Sequence, residues 1–67
     1  MDFDTMFDDY KKELKKIKIE EAKYQNMLYW LEDDYERQDV YEQLAYLKGR
    51  REELENVWLY VLKYFDV

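Results

Sequence analysis

The chain has 67 residues, of which 42% are charged and 48% apolar, and its formal net charge is −6. This length suits one domain, residues 1–67, and a domain of about 60 residues buries only about 60% of the surface that its unfolded chain exposes. Cysteine and histidine are absent, which excludes disulfides, thiolate metal sites and imidazole-based catalysis. The negative charge argues against binding to nucleic acid or to anionic membranes.

The remaining composition is typical of long helices. Proline is absent and glycine occurs once, so little interrupts a helix. No apolar run approaches the roughly 20 residues that span a bilayer. The N-terminal sequence Met-Asp-Phe-Asp lacks the positive charge of a signal peptide. We therefore expect an all-α, cytoplasmic protein that contacts no membrane and carries no cofactor or metal.

In the first half of the chain, residues that are apolar with one exception recur at alternating steps of four and three. This is the a/d pattern of a coiled coil, and we call each such stripe a seam. The pattern predicts a helix over residues 4–35, with Glu21 as the one charged member of its stripe. The series comprises Phe3, Phe7, Tyr10, Leu14, Ile17, Glu21, Tyr24, Leu28, Leu31 and Tyr35.

A second stripe begins at Val40, five residues after Tyr35, and this step of five breaks the alternation of four and three. Asp39 and Glu42 form a capping-box-like pair that predicts a second helix over residues 39–65. Asp33 with Glu36 is a competing start signal. The second stripe comprises Val40, Leu44, Leu47, Arg51, Leu54, Trp58, Val61 and Phe65, with Arg51 as its one charged member.

The two stripes match when the chain is folded back about residue 37. Every a position then faces a d position, from Tyr35 opposite Val40 to Tyr10 opposite Phe65. The sequence therefore predicts an antiparallel two-helix hairpin, beyond whose far end Phe3, Met6 and Phe7 would overhang. One straight helix with a stutter near residue 37, dimerising as an extended coiled coil, is the alternative.

Glu21 and Arg51 interrupt otherwise apolar seams. The predicted register places them in adjacent layers, where they would form a salt bridge inside the hairpin. A polar pair of this kind sets register or oligomeric state at a cost in stability. The alternative is that the Arg51 head group extends into solvent. We expect a structural pair rather than a functional site.

A lone hairpin leaves apolar surface uncovered, because each helix buries only one stripe. Residues 27–31 and 57–65 are apolar nearly all round, and a helix of this kind is usually buried on every side. We expect a homodimer that forms a four-helix bundle, a second protein as partner, or both. The predicted interface residues are Phe3, Phe7, Trp30, Tyr41, Val57, Tyr60, Leu62 and Tyr64.

Acidic residues cluster at the predicted tip, at Asp33, Asp34, Glu36 and Asp39. Carboxylates along a helical rod resemble DNA phosphates, so a mimic that inhibits a nucleic-acid-binding protein is an alternative function. Lysines within residues 11–18 interrupt such a negative face. No nucleophile–base pair occurs, so we expect no enzyme. The leading expectation is a small interaction protein that regulates or inhibits a larger one, and a purely structural bundle subunit is a further alternative.

Overall fold

A computed structural model describes residues 2–65 and places them in two α-helices. Helix α1 spans Phe3–Met27 and helix α2 spans Asp34–Phe65, and residues 2–65 contain no β-strand. The helices run antiparallel, since the Phe3 and Phe65 rings lie 5.7 Å apart at the open end. They form a rod with extents of 49 × 16 × 15 Å. The all-α class and the pairing of two helices are thereby confirmed.

Helix α1 begins at a side-chain cap. The Asp2 carboxylate accepts a hydrogen bond of 2.8 Å from the backbone N–H of Thr5, which satisfies one of the free donors at the helix start. The same bond lowers the pKa of Asp2, because it stabilises the charged form. The negative charge of Asp2 also interacts favourably with the positive end of the helix dipole.

The turn lies earlier in the chain than predicted. Helix α1 ends at Met27 instead of residue 35, and α2 begins at Asp34 instead of residue 39. Asp33 supplies the start, because its carboxylate accepts a 2.8 Å hydrogen bond from the N–H of Tyr35 and its carbonyl accepts the N–H of Arg37 at 3.0 Å. The chain therefore uses the Asp33 start signal, and the predicted boundaries at the turn are wrong.

Arg37, assigned by sequence to the connecting loop, belongs to α2 and fastens the turn. Its Nη1 donates to the carbonyl of Leu28 at 2.7 Å and to the carbonyl of Leu31 at 3.0 Å. Both carbonyls lie just beyond the last residue of α1, where backbone acceptors lack helical partners. The guanidinium also bonds the Tyr41 hydroxyl at 3.2 Å. One side chain thus closes the connection between the helices.

The register between the helices differs from the prediction by about seven residues. Tyr10 stacks on Trp58 with ring centroids 4.8 Å apart, whereas the sequence placed Phe65 opposite Tyr10 and Ile17 opposite Trp58. A heptad pattern repeats every seven residues, so a slip of one heptad keeps every a position opposite a d position. The stripes alone therefore do not distinguish these two registers, and the position of the turn does.

Phe3 and Phe7 do not overhang, because the early turn makes α2 long enough to cover them. The Phe3 and Phe7 rings lie 5.6 and 5.4 Å from the Trp58 ring. Together with Tyr10 and Phe65 they form an aromatic cluster at the open end. The prediction that Phe3 and Phe7 extend past the second helix is wrong.

The core of the hairpin is small. Within residues 2–65 the buried apolar side chains are Ile17, Val40, Leu47 and Trp58, spaced along the seam. Helix α1 contributes only one of them. Most seam residues stay half-buried, since two helices enclose each other on one side only.

Candidate interaction surface

Glu21 and Arg51 meet inside the seam. Arg51 Nη1 lies 3.0 Å from Oε1 and 3.1 Å from Oε2 of Glu21. The Glu21 side chain is 11% exposed and that of Arg51 is 32% exposed, so the carboxylate is enclosed and the guanidinium reaches it from the edge. The structure brings the two predicted partners together, and no described buried side-chain polar atom lacks a hydrogen-bond partner. The site has no unsatisfied group that would call for a ligand.

The predicted interface residues separate into three locations. Phe3 and Phe7 belong to the aromatic cluster and are half-buried. Four others lie on one side of the seam, and Tyr41 and Leu62 lie on the opposite side. Heptad positions place the residues of α2, and Trp30 lines a groove together with Val40 and Gln43. The four are Trp30, Val57, Tyr60 and Tyr64, which are 62%, 56%, 74% and 81% exposed.

The side that holds these four residues carries the apolar grooves between the helices, and we call it the groove face. Near the open end, a groove of about 250 Å³ is lined mainly by apolar side chains, including Met6, Val57 and Val61. Near the turn, a groove of about 450 Å³ includes Met27 and Trp30. Both are open and shallow, so they suit a packed surface better than an enclosed small molecule.

Charged residues occupy the middle of the groove face. Glu20, Arg50 and Glu53 are exposed there, and Lys16 bonds the Glu13 carboxylate at 3.4 Å. Among residues 2–65, Arg50 forms no ion pair within the hairpin. The groove face is therefore apolar at both ends and of mixed charge between them.

The opposite side, which we call the lysine face, has a different character. A groove of about 360 Å³ on α1 is lined by aliphatic side chains and by Lys11, Lys15 and Lys18. Tyr41 is 48% exposed and contacts Arg37, whose guanidinium carbon lies 5.9 Å from the Tyr41 ring centroid. Leu62 is half-buried. The protein is acidic overall, yet this face is bordered by cations.

The predicted interface residues did not include several exposed apolar residues. Ile19 and Leu59 are 59% and 62% exposed, and Tyr35 and Tyr46 are 88% and 61% exposed. Tyr35 was assigned to the seam, but the early turn moves it to the first turn of α2 and away from α1. The other three stand outside both stripes, so their positions already indicated exposure in a lone hairpin.

The acidic tip residues lie at the turn end as expected, although Asp34 and Glu36 belong to the first turn of α2. Asp33, Asp34, Glu36 and Asp39 are all exposed. Their position at the start of a helix complements the helix dipole, and Asp33 also caps it. The described residues contain no group of three or more acidic side chains placed to hold a metal ion.

Neither helix within residues 2–65 is long and apolar enough to cross a membrane. Comparison with protein-family models, curated proteins and solved structures finds no match to this chain.

Proposed function

We propose that this chain is a small, non-enzymatic protein-interaction module that regulates or inhibits a larger protein through its exposed aromatic helix faces. The observation that carries the proposal is the contrast between core and surface. Among residues 2–65, four apolar side chains are buried, whereas eleven large apolar side chains, six of them tyrosines, are exposed. Tyrosine and tryptophan are the residues most enriched at the energetic centres of protein interfaces.

Self-association into a four-helix bundle is part of this proposal, and the surface area supports it. The hairpin exposes 5724 Å², while a compact monomer of its 8.5 kDa mass is expected to expose about 4,650 Å². The difference is about 1,070 Å². A small chain without disulfides commonly gains the missing burial by association.

Composition supports a non-enzymatic role. Histidine and cysteine are absent and Thr5 is the only aliphatic hydroxyl, so the usual bases and activated nucleophiles are lacking. The grooves between the helices are open, shallow and mostly apolar. Binding of another helix or of a flat protein surface requires no more than these features.

Mimicry of DNA is the second candidate, and the observation that favours it is the cluster of exposed carboxylates at the turn end. The lysine face weighs against it, because Lys11, Lys15 and Lys18 interrupt a continuous negative surface. A mimic would bind a basic groove through its charges and would lose binding steeply as salt increases.

A capture experiment tests the two functions against each other. The immobilised chain is incubated with extract of its source cell, and retained proteins are identified and then purified for binding assays. If the main proposal is right, Tyr41→Ala weakens binding by about tenfold or more, while Asp34→Lys combined with Glu36→Lys leaves it nearly unchanged. The reverse pattern would establish the mimic instead.

Two matched controls keep this experiment interpretable. Lys63→Ala alters an exposed residue outside both faces and is expected to bind like the unmodified chain. Circular dichroism verifies that each variant remains helical. If the chain retains only further copies of itself, a purely structural bundle subunit replaces the interaction module.

A further inference from the structure

The groove face combines features that fit a second copy of the same chain. Its open end presents Val57, Tyr60 and Tyr64, all more than half exposed. Its middle presents Glu20 and Arg50, a carboxylate and a guanidinium that form no ion pair within the described hairpin. A self-complementary surface needs apolar groups that meet apolar groups and charges that meet their opposites.

We infer that the groove face is covered by a second copy, with both turns at the same end of the bundle and the two-fold axis parallel to the rod. This inference rests on the proposed self-association and specifies its surface and its orientation. Helix α1 of one copy then packs on α2 of the other. The lysine face of each copy stays free for another protein.

The register within the hairpin determines which residues would face each other. Residues of α1 and α2 whose numbers add up to about 68 lie at the same level along the rod, as Tyr10 and Trp58 do. A two-fold axis parallel to the rod preserves these levels. Each Glu20 then lies within about 3 Å, along the axis, of the level of Arg50 in the second copy.

A second charge contact follows from the same levels. Lys16 falls nearly level with Glu53 of the second copy, while its own Glu13 holds it at 3.4 Å. The lysine would therefore bridge two carboxylates. At the open end, Val57, Tyr60 and Tyr64 of both copies come together around Met6, and Asp9, which lines the same groove, lies nearly level with Tyr60 of the second copy.

The opposite orientation makes different contacts. With turns at opposite ends, a two-fold axis across the middle of the rod packs α1 on α1 and α2 on α2. At the axis position that brings Tyr64 level with Asp39 of the second copy, Arg50 faces Glu53 and Glu13 faces Glu20. Facing carboxylates repel each other, so this orientation places a repulsive contact beside the attractive one.

The exposed area is also of the right size. A standard protein interface buries about 800 Å² on each partner. The excess of about 1,070 Å² that the hairpin exposes over a compact monomer accommodates one such contact. One face of each copy is enough to bury it, so no larger assembly is required.

A pair of neighbouring substitutions tests the face. Val57→Glu places a charge on the groove face, and Leu59→Glu places the same charge on α2 outside it; the two residues are 56% and 62% exposed. Sedimentation equilibrium should show that Val57→Glu weakens dimerisation by about thirtyfold or more, because a charge is buried in the contact. Leu59→Glu should leave it within about threefold.

Spin labels test the orientation in the otherwise unmodified protein. The chain contains no cysteine, so Gln38→Cys or Lys63→Cys gives a single labelled site at one end of the rod. With both turns together, two labels at position 38 lie within about 30 Å, since neighbouring helices are about 10 Å apart. Opposite turns would place them roughly 40 Å apart. Position 63 should also give a short distance.

The outcomes separate the inference from the function on which it rests. A folded monomer at all concentrations overturns both the self-association and the inference. A dimer that Leu59→Glu disrupts and Val57→Glu does not would keep self-association and place it on the other face. A long distance between labels at position 38 would keep the dimer and overturn its orientation. If Val57→Glu loses its helical structure, the distances between spin labels in the otherwise unmodified chain test the inference instead.

Discussion

The guanidinium of Arg37 joins the end of α1 to the beginning of α2. It donates to the carbonyls of Leu28 and Leu31, at 2.7 and 3.0 Å. The two carbonyls are partly shielded from water. If Arg37 is removed, water therefore does not fully replace its hydrogen bonds to them. A lysine has one compact ammonium group, which does not reproduce the planar fork of the arginine.

Replacing Arg37 by methionine should therefore destabilise the hairpin by about 1.5–3 kcal/mol, the usual contribution of hydrogen bonds to a charged group. Urea unfolding followed by circular dichroism measures the change. Lys48→Met is the control, because Lys48 is an exposed cation of the same helix and should change stability by no more than about 0.5 kcal/mol. Equal effects of the two variants would contradict the role of Arg37 in the turn.

The Glu21–Arg51 pair gives a second prediction for single residues. Arg51→Leu leaves the enclosed Glu21 carboxylate without its donor and should cost about 1–3 kcal/mol. The double variant Glu21→Leu, Arg51→Leu removes both charges and should recover most or all of that stability. A double-mutant cycle in urea measures the coupling. Additive losses in the two single variants would show that the ion pair contributes nothing.

At the level of secondary structure, α2 runs through Gly49 without interruption. A methyl group added at Gly49 meets no atom within 4 Å. Gly49→Ala should therefore stabilise the protein by up to about 1 kcal/mol, because alanine loses less backbone entropy in a helix. The urea midpoint should rise with an unchanged slope. A lower midpoint would show that Gly49 meets a neighbour in the assembled protein.

The aromatic cluster joins the two helices at the open end, where Phe3, Phe7 and Tyr10 of α1 lie against Trp58 of α2. Trp58 is 9% exposed, whereas its neighbour Leu59 is 62% exposed. Trp58→Ala should cost about 3–5 kcal/mol, which is a large part of the stability of a small domain. Leu59→Ala should cost far less. Thermal unfolding of the two variants compares them directly, and similar melting temperatures would show that the cluster does not support the hairpin.

The whole molecule exposes more surface than its mass predicts, and its stability should therefore depend on association. A ligand or subunit that binds only the folded form raises the melting temperature with concentration. We expect the melting temperature of the unmodified chain to rise on concentration and that of Val57→Glu to stay nearly constant. A melting temperature of the unmodified chain that is independent of concentration would indicate a stable monomer.

Much of the architecture was predictable because it depends on local periodicity. The alternating steps of four and three identify both helices, and the polar breaks at Glu21 and Arg51 indicate their contact. The boundaries of the turn were not predictable, because the start signals at Asp33 and Asp39 are of similar strength. Of the interface residues, Phe3 and Phe7 were misplaced for the same reason, since their surroundings depend on where the turn lies.

The helical class, the two seams and the acidic, aromatic character of the surface follow from residue type and spacing alone. The register between the helices became clear only from the folded chain, because heptad stripes fit equally well after a slip of seven residues. The contacts of Arg37 and Asp33 place the turn at residues 28–33. With the turn at this position, Trp58 covers Phe3 and Phe7, and the groove face remains exposed.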